Sequence, residues 1–257
     1  MNTSADELYA LIYDLTMEDW EGEFDFYHAL AQDTPGEILE IACGTGRIAI
    51  RLAENGLKVT ATDLSNEMIN IARGKSKHLQ NIEWGQADMK SFDLGRQFSL
   101  IISPGHSFLF MLSIEDQLAC LRTLKKHLAS NGRLVLHLDH QSLDWLGSLP
   151  EAELIFENAR DAQHPHTGNL IRSRRAWRYQ ASTQTALSKT VREEFDVSGN
   201  IVNTWESEMR FHCVFRYEME HLLIRAGFRV EALYGDFHKN ELQNKSSEMI
   251  WVVRHEN

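Results

Sequence analysis

Acidic side chains around a glycine bend carry the plainest chemistry in this sequence. Glu40 stands just before Ala42-Cys43-Gly44-Thr45-Gly46, and Asp63 ends the next apolar run. Gly44 and Gly46 let the backbone turn tightly and approach a ligand closely. A carboxylate at Asp63 can accept two hydrogen bonds from a ribose diol. A further acid, Asp88, is followed by Met89 in Gln86-Ala87-Asp88-Met89. Three histidines could act as general bases: His106 in SPGHSF, His140 after Asp139, and His238 in a late polar stretch. The 3 cysteines, Cys43, Cys120 and Cys213, lie far apart without CxxC spacing, so neither a disulfide frame nor a zinc site is expected.

The elements around these residues alternate between strand and helix. Ile38, Leu39 and Ile41 form the short apolar run of a buried parallel strand. Arg47 to Asn55 fits a helix stopped by Gly56, and Lys58 to Thr62 fits a second strand with Asp63 just past its end. In an open parallel sheet that carboxyl edge is where ligands bind, so the unit is expected to hold a nucleoside-containing cofactor. Ser65 caps a helix to about Lys75; Ile82–Gln86, Phe98–Ser103 and Arg133–Leu138 read as further strands, and Ser113 with Asp116 opens a helix to about Leu128. Strand and helix alternate five times, which predicts a doubly wound α/β fold. Before it, Asp6–Leu15 and roughly Glu18–Gln32 have helical spacing, and Tyr13 and Trp20 are candidates to close the pocket.

After Pro150 the pattern becomes period two. Ile171, Trp177 and Tyr179 oppose Arg172, Arg174 and Arg178; Val191, Phe195 and Val197 oppose Arg192, Glu194 and Asp196; Ile201, Trp205, Met209 and Phe211 oppose Glu206, Glu208 and Arg210. This predicts an inserted antiparallel sheet with one wet face, its arginines paired with Glu206 and Glu208. Arg216–Ala226 then reads as a helix, and Phe228–Tyr234 and Met249–Val253 as closing strands. The expected organisation is cap helices over 1–36, a cofactor-binding core over 37–150, an inserted substrate or lid sheet over 151–212, and the rest of the core over 213–257. Of the 257 residues 43% are hydrophobic and 25% charged, ordinary for a globular enzyme. A net charge of −11 argues against nucleic acid as partner. The N-terminus lacks a signal pattern and no apolar run approaches a membrane span, so a reduced, cytoplasmic protein is expected.

The stretch ILEIACGTGRIAIRLAENGLKVTATDLSNEMINIAR is similar to the first two motifs of the class I S-adenosylmethionine-dependent methyltransferases. The likeness extends through Asp88-Met89, FSLIIS, LKKHLASNGRLVLHL and LLIRAGFRVEALYGDF, and the layout resembles the small-molecule, N-methyltransferase-like branch. That resemblance implies a seven-stranded Rossmann-like sheet with a C-terminal antiparallel pair, and S-adenosyl-L-methionine as cofactor. It implies that Ala42 to Gly46 wrap the methionine part and Glu40 steers its ammonium. Asp63 would take the ribose; Leu64, Met68, Asp88 and Met89 would hold the adenine; Ser103 would lie beside the sulfur, with Tyr13 closing over the cofactor. His106 and His140 are the catalytic candidates, no metal is expected, and the acceptor is a small molecule methylated on nitrogen or oxygen. A homodimer through the inserted sheet is an option. Two rivals remain: an NAD(P)-dependent oxidoreductase, since Gly44-Thr45-Gly46-Arg47-Ile48-Ala49 also fits a dinucleotide turn, and a non-catalytic cofactor-binding protein. Glu40 favours the methyltransferase reading, because a carboxylate suits a sulfonium and an ammonium better than a diphosphate.

Overall fold

The computed structural model describes residues 4–256. In chain order the helices are α1 (Ala5–Thr16), α2 (Glu23–Asp33), α3 (Arg47–Glu54), α4 (Asn66–Lys75), α5 (Ile114–His127), α6 (Leu143–Ser148) and α7 (Arg216–Arg225). The strands are β1 (Ile38–Ile41), β2 (Val59–Asp63), β3 (Ile82–Gln86), β4 (Phe98–Ser103), β5 (Leu128–Asp139), β6 (Glu157–Asn158), β7 (Ala162–Gln163), β8 (Leu170–Gln180), β9 (Thr185–Phe195), β10 (Ile201–His212), β11 (Phe228–Tyr234) and β12 (Glu248–His255). They form two compact units. One joins Asp19–Gln141 to the chain from Val214 onward; the other joins the chain up to Glu18 to Ser142–Cys213. Thus α1 belongs with the inserted sheet and α2 with the core.

The core unit has a seven-stranded sheet in the order β11-β12-β5-β4-β1-β2-β3. Its strands run parallel except β12, which pairs antiparallel with both β5 and β11. Every residue of β1 is buried, as expected for a strand covered on both faces, and Ile38 is in register with Val59 on one side and Leu100 on the other. Side-chain caps start the helices: Ser65 accepts from the Met68 amide and Ser113 from the Asp116 amide. Two boundaries differ from the sequence reading. The second helix starts at Glu23 rather than near Glu18, behind Gly22 in the left-handed region at φ 76°. The fifth strand starts at Leu128, so Asn131-Gly132 lies inside it rather than in a turn. A Cβ on Gly132 would sit 3.0 Å from the carbonyls of Ala129 and Ser99, so this glycine permits close packing.

In the smaller unit, β10, β9, β8 and β6 form an antiparallel sheet, with β7 also on β8. Leu8 and Ile12 of α1 pack with Ile171 and Trp205 on one face. The wet face of β9 is the reverse of the expected one. Arg192 and Glu194 are buried with Ser188 and Thr190, whereas Val197 is fully exposed and Val191 and Phe195 are half-buried. Register explains it: Arg192 lies opposite Ser173 and Trp205, on the face that α1 covers. The arginine pairing also needs correction. Since β9 separates β8 from β10, Glu206 binds Lys189 at 2.9 Å, while Arg174 reaches Glu193 and Arg172 reaches Asp161. Among the described residues no helix is long and apolar enough to cross a membrane.

Candidate active site

Between β1 and α3 the backbone does something costly. Ala42, Gly44 and Gly46 all adopt positive φ, at 52°, 55° and 81°. A left-handed alanine is strained, and such strain concentrates where a backbone is shaped for a ligand. The turn is anchored by its neighbours. Cys43 N–H donates to the Thr62 carbonyl at 3.0 Å, and Gly44 N–H donates to Asp63 Oδ2 at 2.8 Å. Ser65 N–H donates to Asp63 Oδ1 at 2.9 Å, so each carboxylate oxygen holds one amide and retains a lone pair for a ligand hydroxyl. Burial raises the Asp63 carboxyl, against the amide hydrogen bonds that lower it.

Glu40 lies on β1 with 2% of its surface exposed, and its Oε2 has no hydrogen-bond partner among the described residues. Burial lifts its carboxyl to about 8, although Arg47 opposes the shift. The Ser103 hydroxyl, at the end of β4, is likewise buried and unpartnered. These orphan oxygens beside a strained turn fit a ligand that brings donors and positive charge. Leu64 is exposed and Met68 buried, on either side of the α4 N-cap Ser65. Asp88 and Met89 are half-buried beyond β3, with the Lys90 amide donating to Asp88 Oδ1 at 2.9 Å. Tyr13 lies on α1 in the other compact unit, its ring 6.3 Å from that of Tyr9.

A polar cluster gathers on Glu248, the first residue of β12. Its Oε1 accepts from Trp20 Nε1 at 3.0 Å, and its Oε2 lies 2.7 Å from His137 Nε2 and 2.6 Å from His106 Nε2. The Gly105 amide donates to His137 Nδ1 at 3.2 Å, which leaves the ring proton on Nε2, pointing at the carboxylate. His106 Nε2 donates to the same oxygen, so the 3.1 Å between the two Nε2 atoms reflects a shared acceptor. His106 itself has a left-handed backbone, at φ 65°. Burial would raise the Glu248 carboxyl, but hydrogen bonds from His106 and His137 overcome it and hold it at about 2. Burial pushes His137 down to about 4, so it is a neutral donor. His106 then presents Nδ1 as its proton-accepting atom, and the Glu248 anion can stabilise the imidazolium formed by proton transfer. These three side chains could also surround a metal ion. Metal on His137 Nε2, however, would place the proton on Nδ1, facing the Gly105 N–H, so the geometry suits proton handling better.

Behind this cluster, Arg47 makes a two-pronged ion pair with the fully buried Glu23 and reaches Asp19 at 2.6 Å. Its guanidinium lies 5.4 Å from the Trp20 ring, which contacts His106 and His137 edge-on at 5.2 and 4.9 Å. His140 and His238 stand apart from this group. His140 Nδ1 donates to the Ser246 carbonyl at 2.8 Å, and His238 turns toward Glu21 at 3.6 Å. The sequence reading missed Glu23, Arg47, His137 and Glu248. Their only sequence signals were an arginine directly after Gly46 and a lone acid opening the last strand.

Residues 38–132 match the methyltransferase domain family. The chain is 33% identical to YqeM of Bacillus subtilis, named as a methyltransferase, over 46% of this chain and 47% of that protein. It is 29% identical to a dTDP-3-amino-3,4,6-trideoxy-alpha-D-glucopyranose N,N-dimethyltransferase of Streptomyces venezuelae, over 51% of this chain and 55% of that one. It therefore spans about half the length of these curated relatives. The fold matches the crystal structure of an S-adenosylmethionine-dependent methyltransferase from Clostridium acetobutylicum with a TM-score of 0.80, at 17% identity, over 97% of this chain and 98% of that one.

Proposed function

We propose that this chain, whose residues 38–132 match the methyltransferase domain family, transfers a methyl group from S-adenosylmethionine to nitrogen or oxygen of a small molecule. The observation that carries this reading is the buried, unpartnered Glu40 oxygen beside the left-handed turn of residues 42–46. An ammonium there would satisfy that oxygen and draw the carboxyl into its ionised form, whereas a diphosphate brings no positive charge. Bound at this edge, the cofactor supplies a methyl group on a sulfonium, already activated for in-line displacement.

The chain's own residues then bind and align. The turn and Glu40 hold the methionine end, Asp63 the ribose diol, and Met68 with Asp88 and Met89 the adenine. Ser103 ends β4, and the loop that carries His106 follows directly. Alignment of acceptor and methyl is the main contribution expected of such a site. A hydroxyl or protonated amine acceptor needs a base, and His106 Nδ1, backed by Glu248, can take that proton. The amino-sugar methyltransferase among the relatives supports an amine acceptor.

The test is calorimetry with S-adenosylmethionine and with NAD, followed by assay of S-adenosylhomocysteine with amino-sugar acceptors. Saturable binding of the first and product formation are expected. Binding of NAD in its place would overturn the reading.

A further inference from the structure

The inserted sheet buries positive charge that no carboxylate among the described residues pairs with. Arg192, on the central strand β9, is 6% exposed, and its Nε is buried without a hydrogen-bond partner among the described residues. Its other contacts are neutral: Nη1 donates to Ser207 Oγ at 3.2 Å, and the guanidinium lies 5.9 Å from the Tyr9 ring. Arg175, on the same face of β8, donates from Nε to Thr190 Oγ1 at 3.2 Å. Neither arginine forms an ion pair with a described carboxylate, in contrast to Arg172 and Arg174 on the opposite face, which reach Asp161 and Glu193. Two acids share their face: Glu157 of β6, opposite Arg175, is exposed and makes no ion pair among the described residues, and Glu194 is already engaged. Glu194 accepts from Thr167 and Asn169 at 2.8 Å each and from Asn203 at 2.6 Å.

A buried guanidinium without a counter-charge is unfavourable, and a second one nearby adds repulsion. Burial and the neighbouring Arg175 both depress the Arg192 pKa, as expected where no anion compensates. Guanidinium donors are shaped for planar carboxylates and for phosphate oxygens. We propose that Arg175 and Arg192 form a binding site for the oxyanion, carboxylate or phosphate, of a small molecule. Half-buried Tyr9, Arg175 and Trp205 give such a group access. The chain's charge of −11 and the burial of Arg192 disfavour a polymeric phosphate backbone. This site lies wholly within one compact unit and goes beyond the methyl-transfer reading, since no turnover is needed to test it.

The experiment is calorimetric titration of the intact chain with inorganic pyrophosphate and with malonate, at constant ionic strength. Saturable binding of at least one probe is expected, and the one that binds identifies the oxyanion. Arg175→Gln and Arg192→Gln should each weaken it roughly tenfold or more, the factor lost with one charge-assisted hydrogen bond. If Arg192→Gln fails to fold by circular dichroism, the half-exposed Arg175→Gln decides alone. Binding of neither probe, or unchanged affinity in a folded variant, would overturn the site. S-adenosylmethionine affinity, measured alongside, should be unchanged in both variants; its absence in the parent chain would sink the methyl-transfer reading and leave the anion result standing.

Discussion

Glu40 couples ligand binding to a proton. With its carboxyl at about 8 against an ordinary 4.5, it is protonated at neutral pH in the folded chain. The unfolded chain ionises first, so Glu40 subtracts stability progressively as pH rises from about 4.5 to about 8. An ammonium bound against it would restore the low value and expel the proton. S-adenosylmethionine binding should therefore release protons between those limits and tighten as pH rises, seen as a buffer-dependent calorimetric enthalpy that vanishes in Glu40→Gln. For Glu248 the sign is opposite: its carboxyl is held at about 2, so it contributes stability that is lost as pH falls from about 4.5 to about 2. Glu248→Gln should cut turnover and alter its pH profile while leaving S-adenosylmethionine affinity within about twofold, since it touches histidines and not the turn. An unaltered profile would remove the carboxylate from the proton path. Asp63→Asn should weaken binding by about 1–3 kcal/mol, read by calorimetry, because charged hydrogen bonds to both the ligand and the Gly44 amide are degraded. Gly44, Asp63 and His106 were legible because local spacing marks them. Glu248 was not, since its partners His137 and His106 lie 111 and 142 positions away and only the sheet brings them together.

At the level of elements, the first βαβ unit is held by packing as much as by its ligand geometry. A Cβ on Gly46 would stand 2.5 Å from Trp84 Cη2, in a backbone already at φ 81°. Gly46→Ala should lower stability by about 1–3 kcal/mol in thermal or denaturant unfolding, and adding Trp84→Leu should recover only the steric part, because the strained φ persists. Full recovery in the double variant would show that conformation costs nothing there. The alternation of strands and helices was readable from periodicity, since β1 and β4 are mostly apolar and serine caps open α4 and α5. The face of β9 was misread for a physical reason. Alternation says which residues share a side, but Arg192 and Glu194 face inward with serine and threonine, so polarity alone pointed to the wrong side. Likewise, which strand neighbours which is set by the chain's path, and the sequence could not place β9 between β8 and β10.

For the whole molecule, the acidity has a kinetic reading. A net charge of −11 attracts a cationic donor and is indifferent to its neutral product. Added salt should thus weaken S-adenosylmethionine binding more than S-adenosylhomocysteine binding, with the difference in the association rate; equal salt dependence in stopped-flow traces would show that the charge is merely solubilising. The family resemblance gave the seven-stranded sheet and its antiparallel ending from sequence, whereas the grouping of α1 with the inserted sheet was not readable, because two chain segments far apart compose that unit. One feature of the core sets an order of events at the ribosome. The strand that bears Glu248 is made after every other strand of the seven-stranded sheet, yet it sits between β5 and β11 rather than at a rim. Until residue 255 has emerged, a nascent chain can assemble the cofactor turn while His106 lacks its counter-charge. Competence to hold the donor should therefore arrive during synthesis before competence to move a proton.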